Sequence, residues 1–337
     1  MKTMTYAQAI EDALAQAMAA DERVVIFGED VPALRMNLYA RFGDRRVRQT
    51  PISESAFLGA AVGAAMAGLR PVAELIMIDF IAVAADALVN QAAKVEAFSG
   101  GRWQVPLVIR AGCGGGYGDG GQHEQALWGW LAHIPGIKVV VPSTPADAGG
   151  LLTAAIADDG PVVFLEHQLL AEDWLDYLGA GGRKTVAYDV PDAGRMGEVP
   201  DRWEPTPIGQ AALRRTGADL TMAGVGVGIH RAAAAAELLA QEGIAASVID
   251  LRSIAPLDRE AVVGDVRRTG RLLVVDEDYR DFGLTGELAA TILEAGLTAR
   301  YARVAVEGTI PFDPARERMA LPNVERIVTA AQRLVER

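Results

Sequence analysis

Cysteine is almost missing from this sequence: Cys113 is the only one in 337 residues. That excludes an internal disulfide and fits a reducing compartment. Histidine is scarce as well, and four histidines with one cysteine leave little material for a metal cage. No run of lysine and arginine occurs, and 32 basic against 44 acidic residues give a formal charge of −12. Such a chain repels polyanions, which excludes nucleic acid as a partner. Long apolar runs are missing too. The most apolar stretch, 74–89, is cut by Asp79 and Asp86 and reads as core, so no membrane span is expected. The opening MKTMTYAQAIEDALAQ has no apolar signal region, and Glu11 and Asp12 argue against a transit peptide. A cytoplasmic location is the expectation.

What is present fits two ordinary globular domains. Half the residues are hydrophobic and 23% are charged, and the length favours two cores rather than one. Thr5 and Gln8 have capping-box spacing, with Ile10, Leu14 and Met18 following on one helical face. A short buried strand over 24–27 then delivers Gly28-Glu29-Asp30. Strands over 71–77, 105–110, 138–141 and 162–166 alternate with helices over 55–68, 81–98 and 145–157. That alternation predicts a parallel sheet covered on both faces. From about 168 to 207 glycines and prolines dissolve the pattern. A second alternation follows, with strands over 220–223, 246–251, 272–276 and 302–306. Its helices fall at 231–241, 258–268 and 285–294, with a last one from about Val324. The predicted fold class is α/β, with two doubly wound domains and mainly parallel sheets. The expected boundaries are residues 1–178, a linker 179–206, and residues 207–337.

Several motifs fail on their spacing. Gly224, Gly226 and Gly228 follow a strand, but the third glycine of a dinucleotide loop is missing, so tight strand-to-helix turning is expected there. His123-Glu124 opens like a zinc helix, yet Leu127 stands at the second histidine position. Gly118-Asp119-Gly120 resembles the start of the magnesium–diphosphate motif of thiamin enzymes. That motif needs a downstream asparagine to complete an oxygen shell, and none occurs between Asn90 and Asn323. The chain is expected to lack its own diphosphate site.

The informative stretch is TPISESAFLGAAVGAAMA, residues 50–67. Glu54 stands at a helix start, where the helix dipole favours a carboxylate. Gly59, Gly63 and Ala67 share one face at i+4 spacing, which permits close approach of another helix. Tight core packing would serve the glycines equally well.

Taken together, GED at 28–30, TPISES at 50–55, AGLRPVAE at 67–74, DALVNQAAK at 86–94, SGG at 99–101 and HIPGIKVVVPSTPADAGGLL at 133–152 resemble the β subunits of pyruvate and branched-chain 2-oxoacid dehydrogenases. PIGQA at 207–211 and IDLRSIAPLD at 249–258 continue the likeness. The resemblance implies a transketolase-like pyrimidine-binding domain followed by a transketolase C-terminal domain, in an α2β2 tetramer. It implies thiamin diphosphate as cofactor, with magnesium and diphosphate on the α subunit and the aminopyrimidine on the β subunit. Glu54 then matches the carboxylate that hydrogen-bonds the pyrimidine ring nitrogen and favours its imino tautomer. Phe80 matches the aromatic packed on the pyrimidine, and Glu29 an acidic residue of the pocket. His123 matches the histidine at the pocket mouth. The carbonyls of Leu107, Ala155, Asp158 and Gly160 match a potassium site of part of the family.

The implied reaction is oxidative decarboxylation of a small 2-oxo acid, with acyl transfer to lipoyl on an acyltransferase partner. Acetoin cleavage, carboligation, or a mainly assembling and regulatory subunit are the alternatives. The chain departs from the family pattern over 31–48, in its longer linker, and in QHEQ where QHSQ is usual. A carboxylate at Glu124 beside His123 is expected to favour the protonated imidazole.

Overall fold

Thr5 Oγ1 accepts the Gln8 amide at 3.2 Å and Gln8 Oε1 accepts the Thr5 amide at 3.0 Å, closing a capping box on helix Tyr6–Ala20. In the computed structural model, which describes residues 1–171 and 192–336, Ile10, Leu14 and Met18 of that helix are buried. They pack with helix Pro145–Ala157 on one face of a seven-stranded sheet.

The first sheet runs β12-β6-β7-β5-β4-β2-β3. Its strands are β2 (Val24–Gly28), β3 (Val47–Gln49), β4 (Arg70–Met77), β5 (Val108–Cys113), β6 (Lys138–Val140), β7 (Val162–His167) and β12 (Ser253–Ala255). All pair in parallel except β12. Every residue of β2, β5 and β7 is buried, as a sheet covered on both faces requires. The second sheet runs β14-β13-β10-β11-β9, from β9 (Ala212–Arg215), β10 (Leu220–Gly224), β11 (Ala246–Asp250), β13 (Arg271–Tyr279) and β14 (Arg300–Val306). Only its edge strand β9 is antiparallel. Helices Val227–Gln241, Arg259–Thr269, Leu284–Glu294 and Val324–Glu336 cover it.

The two units share apolar packing. β12 leaves the second unit to pair with β6 of the first. One buried cluster runs from Phe57 and Leu131 to Ile249 and Leu288.

Three local differences from the sequence expectations have physical reasons. Pairing of β5 starts at Val108, not Val105, because Pro106 has no amide to give a neighbouring strand. The helix expected over 81–98 is broken into a 3₁₀ turn Ile78–Ala82, a π turn Ala87–Ala92 and a short helix Val95–Phe98. The 3₁₀ turn is tied at Asp79, whose Oδ1 accepts Gln125 Nε2 at 2.7 Å. Residues 172–191, which include 179–191 of the expected linker, lie outside the described residues. Beyond them β8 (Met196–Val199) pairs antiparallel with β1 (Lys2–Thr5). Trp203 is buried and donates to Asp12 Oδ2 at 2.8 Å. Such long-range pairing leaves no period in the sequence.

Candidate active site

The carboxyl ends of β2, β3, β4 and β5 converge on one crevice. β2 connects onward to β3 on one side, and the chain returns to β4 on the other. Open α/β sheets bind ligands at such reversals. β2 delivers Glu29, and Gly28 before it must be glycine, since a Cβ there would stand 2.6 Å from the Glu74 carbonyl oxygen. The Thr50 amide donates to the Gly28 carbonyl at 3.0 Å, holding the 50–55 stretch against the end of β2. Glu54 then opens helix Glu54–Met66, where the helix dipole favours its negative charge. β4 leads into Asp79 and Phe80, and β5 into the loop carrying His123.

Glu29 and Glu54 are half-buried. Neither makes a hydrogen bond or ion pair among the described residues. Burial, then the charges of Asp30 and Glu54, raise the Glu29 carboxyl above its ordinary range. The rings of Phe80 and His123 meet edge to face at 6.0 Å. Thr50 Oγ1 and Asp79 Oδ2 are buried without a partner, and burial raises the Asp79 carboxyl. Buried polar atoms are normally paired, so these two mark a place where a ligand's donors would be satisfied.

Beneath Glu29 lies a cavity of about 190 Å³, lined also by Arg35, Glu74, Arg110 and Glu166. Arg110 Nη1 donates to Glu74 Oε1 at 2.7 Å and Nη2 to Glu166 Oε2 at 2.8 Å. Arg35 Nε reaches Glu74 Oε2 at 3.1 Å. Burial works against the Glu74 charge, yet Arg110 and then Arg35 hold its carboxyl below the usual range. The network sets two guanidinium groups against two carboxylates, so the floor of the crevice is charge-balanced.

The structure brings Glu29, Glu54, Phe80 and His123 to the same end of the sheet. The candidate potassium carbonyls lie at the opposite end, where Leu107 precedes β5 and Gly160 precedes β7. Leu107 O accepts the Val162 amide at 2.9 Å, Ala155 O the Asp158 amide at 3.3 Å, and Asp158 O the Arg70 Nη1 at 2.9 Å. Among the described residues, no group of three or more His, Cys, Asp or Glu side chains is arranged to hold a metal ion. Gly118 and Gly120 both have positive φ and pack toward Pro314 and Phe312, as turning glycines do. Gly224 cannot take a side chain either, because its Cβ would meet the Val275 carbonyl oxygen at 2.5 Å. Cys113 is buried, and burial followed by the charges of Glu277 and Glu166 pushes its thiol up. That is the environment of an inert thiol.

Glu124 differs from expectation. Its carboxyl turns away from the imidazole into its own loop, accepting the Tyr117 and Gly120 amides at 2.6 and 2.9 Å. Sequence reasoning also missed Gln125, whose amide donates to Asp79 and whose Oε1 accepts the Tyr279 hydroxyl at 2.9 Å. Asp79 carried a signal, standing beside Phe80 at a strand end; Tyr279, 154 positions from Gln125, carried none.

Two unpartnered carboxylates, an aromatic face and an imidazole can receive a heteroaromatic ring that bears protons and can move them. Comparison with known proteins agrees in kind. Residues 2–172 match the transketolase pyrimidine binding domain and residues 209–327 the transketolase C-terminal domain. The 2-oxoisovalerate dehydrogenase subunit beta of Bacillus subtilis is 38% identical over 100% of each chain. The pyruvate dehydrogenase E1 component subunit beta of the same organism is 37% identical, again over 100% of each. The acetoin:2,6-dichlorophenolindophenol oxidoreductase subunit beta of Cupriavidus necator is 38% identical over 97% of this chain and 96% of that one. A split-gene transketolase, solved as an inactive beta4 tetramer, shares the fold at a TM-score of 0.77 and 22% identity, covering 99% of this chain and 98% of that one. With both domain matches and full-length identities at this level, the chain belongs to the β-subunit family of the 2-oxoacid dehydrogenases.

Proposed function

We propose that this chain is the β half of a thiamin-diphosphate-dependent 2-oxoacid dehydrogenase and completes its active site with an α subunit in an α2β2 assembly. The observation that carries the reading is the pair of unpartnered carboxylates, Glu29 and Glu54, beside the Phe80–His123 contact. Thiamin diphosphate, when bound, supplies an acidic thiazolium C–H and a cationic ring that accepts the electron pair released with carbon dioxide. Glu54 shares a proton with the pyrimidine ring nitrogen. Phe80 covers one face of that ring and excludes water from it. Glu29, whose carboxyl is raised by burial and by its acidic neighbours, is a second carboxyl in the same pocket. His123 holds or moves a proton at the mouth, where substrate and acyl acceptor enter.

The metal and the diphosphate are assigned to the α subunit, with magnesium supplying the charge that the diphosphate needs. The carbonyls of Leu107, Ala155, Asp158 and Gly160 would form a structural potassium site, and no step of the chemistry runs through it. The acyl acceptor in this reading is lipoyl on an acyltransferase core. A cytoplasmic location belongs to the same reading; no helix among the described residues is long and apolar enough to cross a membrane.

Support for assembly comes from helix Glu54–Met66. A Cβ added at Gly59 or Gly63 would meet nothing within 4 Å, and both glycines are exposed, as is Ala67. The glycine row is therefore not used for packing within this chain. Gly63→Leu should leave this chain folded but weaken association with the partner by about 1–3 kcal/mol, the usual cost of overfilling a packed contact. Sizing chromatography of the co-expressed subunits checks this, and a normally assembled variant would refute the interface.

The C. necator relative, named for acetoin and similar over nearly the full length, favours one second reading, cleavage of acetoin by the same pocket. Assaying the assembled enzyme with 2-oxo acids and with acetoin, each with dichlorophenolindophenol as electron acceptor, separates the two. Turnover of 2-oxo acids alone supports the dehydrogenase.

A further inference from the structure

The residue after His123 is where this chain departs from the family's histidine loop, and its side chain is 0% exposed. Glu124 accepts two amides of its own loop. Glu317, on helix Pro314–Ala320 of the C-terminal domain, enters the same loop beside it. Glu317 is 2% exposed, and its Oε1 accepts the Gly116 amide at 2.5 Å. The two buried carboxylates thus take the adjacent amides of Gly116 and Tyr117, and because ionised carboxylates are acceptors only, they can bond to each other only if one carries a proton. The loop lies flat on the same stretch of the C-terminal domain. A Cβ at Gly115 would stand 2.8 Å from Leu321, and one at Gly120 would stand 2.9 Å from Phe312.

We propose that Glu317 is a positioning residue for His123: with Glu124 it forms a carboxyl pair sharing one proton, which seats the histidine loop on the C-terminal domain. The proposal rests on the reading of His123 as a site residue. Other bonds hold the same loop, including Gln168 Nε2 to the His123 carbonyl at 2.7 Å and Tyr279 to Gln125. In the proposal, the Glu124–Glu317 link is the one tie of this loop that requires a shared proton.

Burial, then the charge of Glu317 and the hydrogen bond to it, raise the Glu124 carboxyl to about 8, against the opposing amides of Tyr117 and Asp119. The other titratable side chains of the two packed elements are Tyr117, Asp119 and His123 on the loop, and Asp313, Arg316 and Arg318 on or beside the helix. Because the folded carboxyl is raised, its contribution to closure is complete below the ordinary carboxylate range. It is lost as pH rises through about 8, where two like charges would face each other in a buried place.

The test is hydrogen–deuterium exchange of the loop, residues 114–125, in the assembled enzyme across this pH range, corrected for intrinsic exchange. Protection in the wild type should fall by up to about tenfold per pH unit on the approach to pH 8 and then level off. Glu317→Gln can accept the Gly116 amide and donate to ionised Glu124 at every pH, so its protection should stay flat. Glu317→Ala should lose protection throughout. In each protein, turnover should follow loop protection while exchange of the thiazolium proton does not. Identical pH profiles in the wild type and Glu317→Gln would overturn the carboxyl pair. Protection that follows the pair while turnover ignores it would instead remove His123 from the reaction, and the positioning role with it.

Discussion

Glu54→Gln will slow exchange of the thiazolium proton in the assembled α/β enzyme by about 10²–10⁴-fold, the usual effect of deleting a positioned acid–base group. Glutamine keeps the size of the side chain and can still hydrogen-bond, but it cannot share an acidic proton with a ring nitrogen. The substitution isolates that step because of how Glu54 sits. It makes no hydrogen bond or ion pair among the described residues, so removing its charge orphans no group within the chain. Stability should therefore change by no more than about 0.5 kcal/mol, as for ordinary surface substitutions. Losing the Glu54 charge also removes one of the influences that raise Glu29, which should move the Glu29 carboxyl down toward its ordinary value. His123→Ala is the contrast, since the proposal has His123 act at the mouth of the pocket, and it should leave exchange nearly intact. Wild-type exchange in Glu54→Gln would mean that another group carries the proton.

Much of the fold was legible because it depends on local chemistry. The capping box at Thr5 and Gln8, the helix Pro145–Ala157 and the alternation of buried strands with helices follow from residues close together in the chain. What was not legible depends on distant partners. β8 finds β1, and β12 crosses from the second unit to pair with β6; neither strand has a period of its own. The break in the helix expected over 81–98 follows Asp79 binding Gln125, 46 positions away. Glu124 shows the same limit at a single side chain. From sequence it is a neighbour of His123, but folding points it at Glu317, 193 residues onward. Motif order proposed Glu29, Glu54, Phe80 and His123, and their placement at one end of the sheet follows from β5, β4, β2 and β3 being adjacent.

The half-site claim makes a second large prediction. Thiamin diphosphate is anionic at its diphosphate end, and the pocket described here offers it Glu29, Glu54 and Asp79 on a chain of net charge −12. Like charges in a partly buried crevice repel, and magnesium cannot offset this without a cage of oxygen ligands. In the half-site proposal the carboxylates and Phe80 hold the pyrimidine end, and the charged end takes its metal anchor from another polypeptide. The most direct test is calorimetric titration of thiamin diphosphate with magnesium into the purified chain, alone and then with the α subunit. The account predicts binding by the chain alone at least about 100-fold weaker than by the assembly, a gap of about 2.8 kcal/mol or more. Micromolar binding by the chain alone, unchanged when the α subunit is added, would contradict it.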